Sequence, residues 1–429
     1  ADTKGTSLKK NDNPTVTSKN WKAYMVAVAV DFLSIFLPLI LVSTVLAEWT
    51  YVSAICLVLL LLFSAGFKSP STSQYREGSS RYREDGVLSV RTYISFYRVA
   101  MMLVTCLCIL AVDFSIFPRR YAKTETYGVS LMDIGVGSFV LANSLVSRQA
   151  RGIATVENEM TKSILELCKT AFIESGKETE KKLRNAVQST SPLLFLGFAR
   201  LISMAGVDYQ VHVGEYGVHW NFFFTLAAVS VLTSIINVPP NYSGCLGSSI
   251  LLGYQVCLKR GLNVYLLSNE RGGDIISQNK EGIFSIFVIM KGIGLCHEAR
   301  EKHWFVGGAA CLIWLITILL ERHVERPSRR MCNLAYVTLV LASNLQVLAI
   351  AMLSDCVPGH KVSVLEKAFD QNLLGSFLLA NVLTGLINLF VDTLFVSSVS
   401  ALIILIVYAF VLSAFVSFAD FYGMKLKFW

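Results

Sequence analysis

The sequence predicts an all-α, polytopic transmembrane helical bundle with about 12 spans. Two observations carry that expectation. Of 429 residues, 54% are hydrophobic and only 16% charged, with a mean hydropathy of +0.55, a balance foreign to a soluble enzyme of this length. Apolar runs long enough to cross a hydrocarbon core of roughly 30 Å also recur along the whole chain. Lipid offers no partner to an exposed backbone amide, so such runs are helices.

The runs fall at 23–46, 50–67, 92–113, 130–147, 190–206, 220–238, 243–258, 282–296, 304–321, 332–354, 371–390 and 397–419. Residues 1–22 read as a polar, basic, disordered tail carrying Lys4, Lys9, Lys10, Lys19 and Lys22, with no signal-peptide pattern. Residues 23–429 then form a single membrane domain with a cytosolic polar loop at 148–188, where 155–186 has the pattern of an amphipathic interfacial helix. Lysine and arginine crowd the tail, the loop after the second run (Lys68, Arg76, Arg81, Arg83, Arg91) and this long loop. The positive-inside rule places all three, and both termini, in the cytoplasm. The formal charge of +8 therefore belongs to one membrane face and does not point to nucleic acid. The ten cysteines show neither metal-ligand spacing nor a disulfide framework, so no metal and no bound cofactor is expected.

Polar residues at the ends of spans are what remain to be explained. Asp113 closes the third run, and Lys123 follows ten residues later, after Pro118 has turned the chain. The two side chains are expected to meet at the membrane edge. Such a pair either handles a proton, because burial and proximity move both pKa values, or is a structural salt bridge holding a turn. The same stretch holds Arg119, Arg120 and Asp133. A second cluster, Glu215 to Phe223, contains His219 and Asn221; the imidazole suits acid–base work near neutrality, or the group is a Trp-His-Tyr interface belt. A third places Asn381 and Asn388 inside a span and Asp392 at its end, as a substrate-facing stripe or as glue between helices. Asn279-Lys280-Glu281-Gly282 reads as a helix cap, and Arg329-Arg330 with Asn333 as a contact for lipid phosphate or an interface mark. No phosphate loop, serine elbow or zinc motif is present.

The stretches AVDFSIFPRRYAKTETYGVSLMDIGVGSFV (111–140), EYGVHWNFFFT (215–225), NKEGI (279–283), SRRMCNLAY (328–336) and LTGLINLFVDT (383–393) resemble, in order, the inositol acyltransferases of GPI-anchor synthesis. These are called PIG-W in animals and GPI-anchored wall transfer protein in fungi. The resemblance implies a multi-pass enzyme of the endoplasmic reticulum membrane, with its active-site motifs on the luminal side. Its reaction moves a fatty acyl group, usually palmitoyl, from acyl-CoA to the inositol 2-hydroxyl of glucosaminyl-phosphatidylinositol. The family's proposed catalytic pair falls on Asp113 and Lys123, and Arg119, Arg120, Asp133, His219, Asn221, Asn388 and Asp392 are the expected substrate contacts. The chain departs from the pattern at its start, where a polar tail stands in place of a further span, so 12 spans are expected rather than the family's usual 13.

A thioester is already activated, so direct attack by the alcohol, with a base from the Asp113–Lys123 pair, needs no acyl-enzyme. The reading from another class is a lipid or solute transporter. Transporters of this size show internal repeats, and the motif around Asp113 has no counterpart in 215–429.

Overall fold

A computed structural model describes residues 20–66, 79–146, 176–205, 213–235, 240–289, 303–353 and 362–424. The first helix, α1 (Trp21–Ser43), starts where the Asn20 side chain accepts from Lys22 N at 3.1 Å, and it loosens to a π-turn at Phe32–Phe36. After it come α2 (Thr50–Gly66), α3 (Ser79–Ala111), α4 (Leu131–Leu145) and α5 (Gly176–Ala205). The middle of the chain holds α6 (Val213–Tyr216), α7 (Phe222–Ile235), α8 (Pro240–Cys257), α9 (Asn263–Leu267), α10 (Ile275–Gln278) and α11 (Lys280–Ile289). The last are α12 (His303–His323), α13 (Leu334–Leu353), α14 (Val364–Gln371), α15 (Leu373–Phe390) and α16 (Ser398–Phe421). Among the described residues only one isolated bridge, Gly128 to Ser328, has strand-like pairing.

Among the described residues, six helices are long and apolar enough to cross a membrane: Trp21–Ser43, Thr92–Ala111, Val306–His323, Leu334–Met352, Leu373–Phe390 and Ser398–Phe421. Ala47–Leu60, Leu131–Leu145 and Phe222–Leu232 are shorter apolar helices. The chain is thus an all-α, multi-spanning membrane protein, with helices over the apolar runs read from the sequence. One boundary differs. Helix up to residue 186 is expected as the end of the interfacial helix, but it runs on unbroken into the expected fifth span as α5. Lysine, glutamate and arginine in KETEKKLR are good helix formers, so nothing there stops the helix before the apolar run begins. Residues 1–19 of the expected tail and most of 148–188, with the start of the expected interfacial helix, lie outside the described residues, and Trp21 and Lys22, expected in the tail, are already helical in α1.

Three packed centres hold the helices. Phe36 and Ile40 of α1, Leu107 and Leu110 of α3, Phe369 of α14 and Leu405 of α16 form the first, closed at one end by Phe114 and Phe117. Tyr93 and Tyr97 of α3, Leu141 of α4, Val306 of α12 and Leu345 of α13 form the second. Leu251 and Tyr254 of α8, Leu266 of α9 and Tyr336 of α13 form the third. Lipid is as apolar as leucine, so such centres are held by close packing and buried hydrogen bonds rather than by escape from water. Gly137 shows how close: a Cβ there would lie 2.3 Å from Val340 Cγ1, so α4 and α13 meet only because that atom is absent. Below it, Tyr97 Oη and Ser138 Oγ both donate to Asn344 Oδ1, each at 2.7 Å. Both α3 and α13 contribute to two of these centres, and the polar residues lie where they and their neighbours begin or end.

Candidate active site

Asp113 sits two residues beyond α3, outside the span Thr92–Ala111, in a turn whose amide donates to Leu110 O at 3.1 Å. Its Oδ2 accepts from Asn388 Nδ2 of α15 at 2.8 Å. Burial raises the Asp113 carboxyl above its ordinary value, against the Asn388 bond and the charge of Arg119, which pull it down. A half-buried carboxylate of raised pKa, oriented by one fixed donor, is a competent proton acceptor. Arg119 donates to Val112 O at 3.0 Å.

The chain then leaves Asp113. Pro118 leads into a single 3₁₀ turn, Arg119–Tyr121, and Arg120 pairs at the surface with Glu48 at 3.2 Å. Beyond it the strand-like segment to Ser130 is tied to the approach to α13. Gly128 N donates to Pro327 O at 2.8 Å, Ser328 Oγ donates to Thr126 O, and Tyr127 Oη donates to Glu325 at 3.3 Å. Gly128 takes a φ of +99°, which the glycine accommodates without strain.

That tether decides where Lys123 goes. Its Nζ donates to both carboxylate oxygens of Glu215 on α6, at 2.7 and 2.9 Å. The expected direct pair of Asp113 with Lys123 is therefore corrected: Asp113 holds Asn388, and Lys123 holds Glu215. The two sit at opposite ends of the 113–123 turn because the second half of that turn is drawn to Pro327 and α6. Burial opposes ionisation of Glu215, but Lys123 and Arg329 outweigh it and hold the carboxyl below the ordinary range.

Glu215 also receives Arg329 Nη1 at 3.3 Å, while Arg329 Nε lies 2.8 Å from Oδ1 of Asp133. Asp133 is wholly buried and completes a capping box at the start of α4, accepting from Ser130 N at 2.8 Å. Thr124 Oγ1 donates to it at 2.9 Å. The Asp133 carboxylate thus fixes the segment that carries Lys123 rather than standing open to a ligand. Next to it, Glu281 of α11 is gripped by Arg271 at 2.8 and 3.1 Å and, more loosely, by Arg330 at 3.3 Å. Asn333 sets the two arginines in place: its side chain accepts from Ser328 N and Tyr336 N, each at 3.1 Å, and donates to Arg326 O at 2.8 Å.

The remaining expected contacts separate into two kinds. Asn221 is buried as the N-cap of α7, accepting from Phe223 N at 3.0 Å and donating to Gly197 O at 3.0 Å. It positions α7 against α5. His219 is exposed, with its backbone amide donating to Asn279 Oδ1 at 2.8 Å. Gly217 makes that junction feasible: its φ is +112°, and a Cβ would fall 2.5 Å from Asn279 Cα. Asp392 is exposed just past α15.

Between these polar groups and Asn344 lies a cavity of about 120 Å³, walled by Val136, Val140, Leu141, Leu251, Val337 and Val340. Glu215, Tyr216, Glu281, Arg329, Arg330 and Asn344 also line it. A single water needs only about 10–15 Å³, so the space suits an apolar chain.

Compared with known proteins, residues 6–419 match the GWT1 family model. The chain belongs to the GWT1 family. Among its relatives is an uncharacterized protein of Arabidopsis thaliana, 50% identical over 99% of this chain and 93% of its own length. Another is the phosphatidylinositol-glycan biosynthesis class W protein of Dictyostelium discoideum, 35% identical over 85% of this chain and 79% of its own. A third, GPI-anchored wall transfer protein 1 of Aspergillus oryzae, is 34% identical over 94% of this chain and 89% of its own. Within this GWT1 family member, Arg271 is unnamed in the reading of the sequence, while Glu215, Glu281 and Arg329 stand there in clusters or motifs without being taken as one network. The available signal was their position: three of the four lie inside motifs quoted above, at the ends of spans.

Proposed function

We propose that this chain is the inositol acyltransferase of GPI-anchor biosynthesis, moving a fatty acyl group from acyl-CoA to the inositol 2-hydroxyl of glucosaminyl-phosphatidylinositol. The observation that carries the reading is the family match across residues 6–419, which takes in both Asp113 and Lys123. The names of the Dictyostelium and Aspergillus relatives, in phosphatidylinositol-glycan biosynthesis and GPI-anchored wall transfer, agree with it.

In this reading Asp113, aligned by Asn388, removes the proton of the attacking hydroxyl. Its raised pKa favours it over Glu215, whose pKa is lowered and whose oxygens are filled. Lys123, positioned by its ion pair with Glu215, stabilises the oxyanion of the tetrahedral intermediate and then the departing thiolate. The apolar cavity beyond Glu215 takes part of the acyl chain, with bilayer lipid around the helices as the route of entry. The site faces the lumen of the endoplasmic reticulum, as the lysine and arginine pattern suggests. No metal or bound cofactor enters the scheme. Purified protein given labelled palmitoyl-CoA and glucosaminyl-phosphatidylinositol should release free CoA and yield acyl-inositol product. Movement of lipid between leaflets without product contradicts the reading.

A further inference from the structure

Among the described residues, the ion pairs beside the cavity join four cations, Lys123, Arg271, Arg329 and Arg330, to three carboxylates, Asp133, Glu215 and Glu281. Lys280 adds a further buried ammonium, satisfied by the carbonyls of Tyr265 at 2.6 Å, Ser268 at 2.9 Å and Glu270 at 3.2 Å and by Ser268 Oγ at 3.0 Å.

Arg330 is the member left short. Arg271 takes Glu281 with two good bonds, leaving Arg330 a single contact at 3.3 Å. Its side chain is only 10% exposed, and among the described residues its buried Nε has no hydrogen-bond partner. A buried guanidinium with unused donors is costly unless something fills them. Gly214 lies beside the guanidinium, and a Cβ there would come into van der Waals contact with Cζ, Nη1 and Nε at 3.5–3.7 Å, so the glycine leaves that much room next to Arg330. Arg330 also lines the cavity, together with Val136, Val140, Leu141, Leu251, Val337, Val340 and Leu341. An unused planar cation beside an apolar slot matches one ligand chemistry, a long-chain amphiphile with a phosphate next to its tail.

We infer that Arg330 is an anion-binding residue that receives the phosphate of such an amphiphile, its tail lying in the cavity between α4 and α13. The phosphate has two possible sources, the phosphodiester of an inositol lipid and the phosphates of a fatty acyl-CoA. The proposed function bears on which source is used, not on whether the site exists.

Equilibrium binding to the full chain in detergent tests this without any catalytic step. The probes are dioctanoyl-phosphatidylinositol, dioctanoylglycerol with the same tails but no phosphate, and palmitoyl-CoA. Wild-type protein should bind at least one phosphate probe more tightly than dioctanoylglycerol. Arg330→Gln should weaken that binding by at least about tenfold, the scale of a charge-assisted hydrogen bond, and leave dioctanoylglycerol unaffected. Loss confined to phosphatidylinositol assigns the site to the lipid, and loss confined to palmitoyl-CoA assigns it to the acyl donor. If Arg330→Gln does not give folded protein, Arg330→Lys carries the test: charge without the fork should cost severalfold. Unchanged binding of both phosphate probes in a folded variant overturns the inference. A protein that binds through Arg330 but forms no acyl-inositol keeps this site and loses the proposed function.

Discussion

Lys123 Nζ lies 2.7 Å from Oε1 and 2.9 Å from Oε2 of Glu215, a residue 92 positions further along the chain. Arg329 joins the same carboxylate and reaches on to Asp133, so one glutamate links the turn after α3, the short helix α6 and the approach to α13. Glu215→Gln should therefore lower the melting temperature at neutral pH. Because the folded carboxyl has a lowered pKa, its stabilisation is present above the ordinary value of 4.5 and is lost as pH falls through the folded value. The gap between wild type and variant should thus close in acid. The Lys123 side chain is 42% exposed, so a double-mutant cycle with Lys123→Met should give a coupling of only about 1 kcal/mol.

How much of this was legible in the sequence depends on the range of the physics involved. The apolar runs were, because the thickness of a bilayer sets their length and each helix satisfies its own backbone. Asp113, Lys123 and the Glu215 and Arg329 motifs stood out because ionisable groups at span ends are costly. Partner choice was not legible. Asp113 meets Asn388 across 275 residues, and Lys123 passes over the nearer acid because Gly128 and Ser328 tether its segment elsewhere. Nor was it legible that the helix over 176–186 and the fifth span are one continuous helix.

Asn388 holds the carboxylate form of Asp113. Asn388→Leu removes that bond and leaves burial unopposed on that side, so the Asp113 pKa should rise further. If Asp113 is the base, the acid limb of the kcat/KM profile moves to higher pH, with activity at the plateau reduced less than at low pH. An unmoved limb separates Asn388 from the base.

Gly137→Ala places a methyl 2.3 Å from Val340 Cγ1 and must push α4 from α13. Overpacking of this kind costs about 1–3 kcal/mol. Val340→Ala in the same chain frees that space and should recover much of the melting temperature. Failure of the rescue places the strain elsewhere.

Val337 stands on the cavity wall. Val337→Trp should reduce the space available to an acyl chain, shifting preference from palmitoyl-CoA toward shorter donors. Competition between donors of different length in one assay reads this directly.

The most direct test of the central claim is initial-rate acyl transfer from labelled palmitoyl-CoA to glucosaminyl-phosphatidylinositol by purified wild type, Asp113→Asn and Lys123→Met, at matched folded concentration. Loss of a base or of an oxyanion donor costs about 10²–10⁴-fold, so each variant should fall at least about a hundredfold while still binding substrate. Near-normal turnover by either variant would contradict the assignment of Asp113 as base and Lys123 as oxyanion donor.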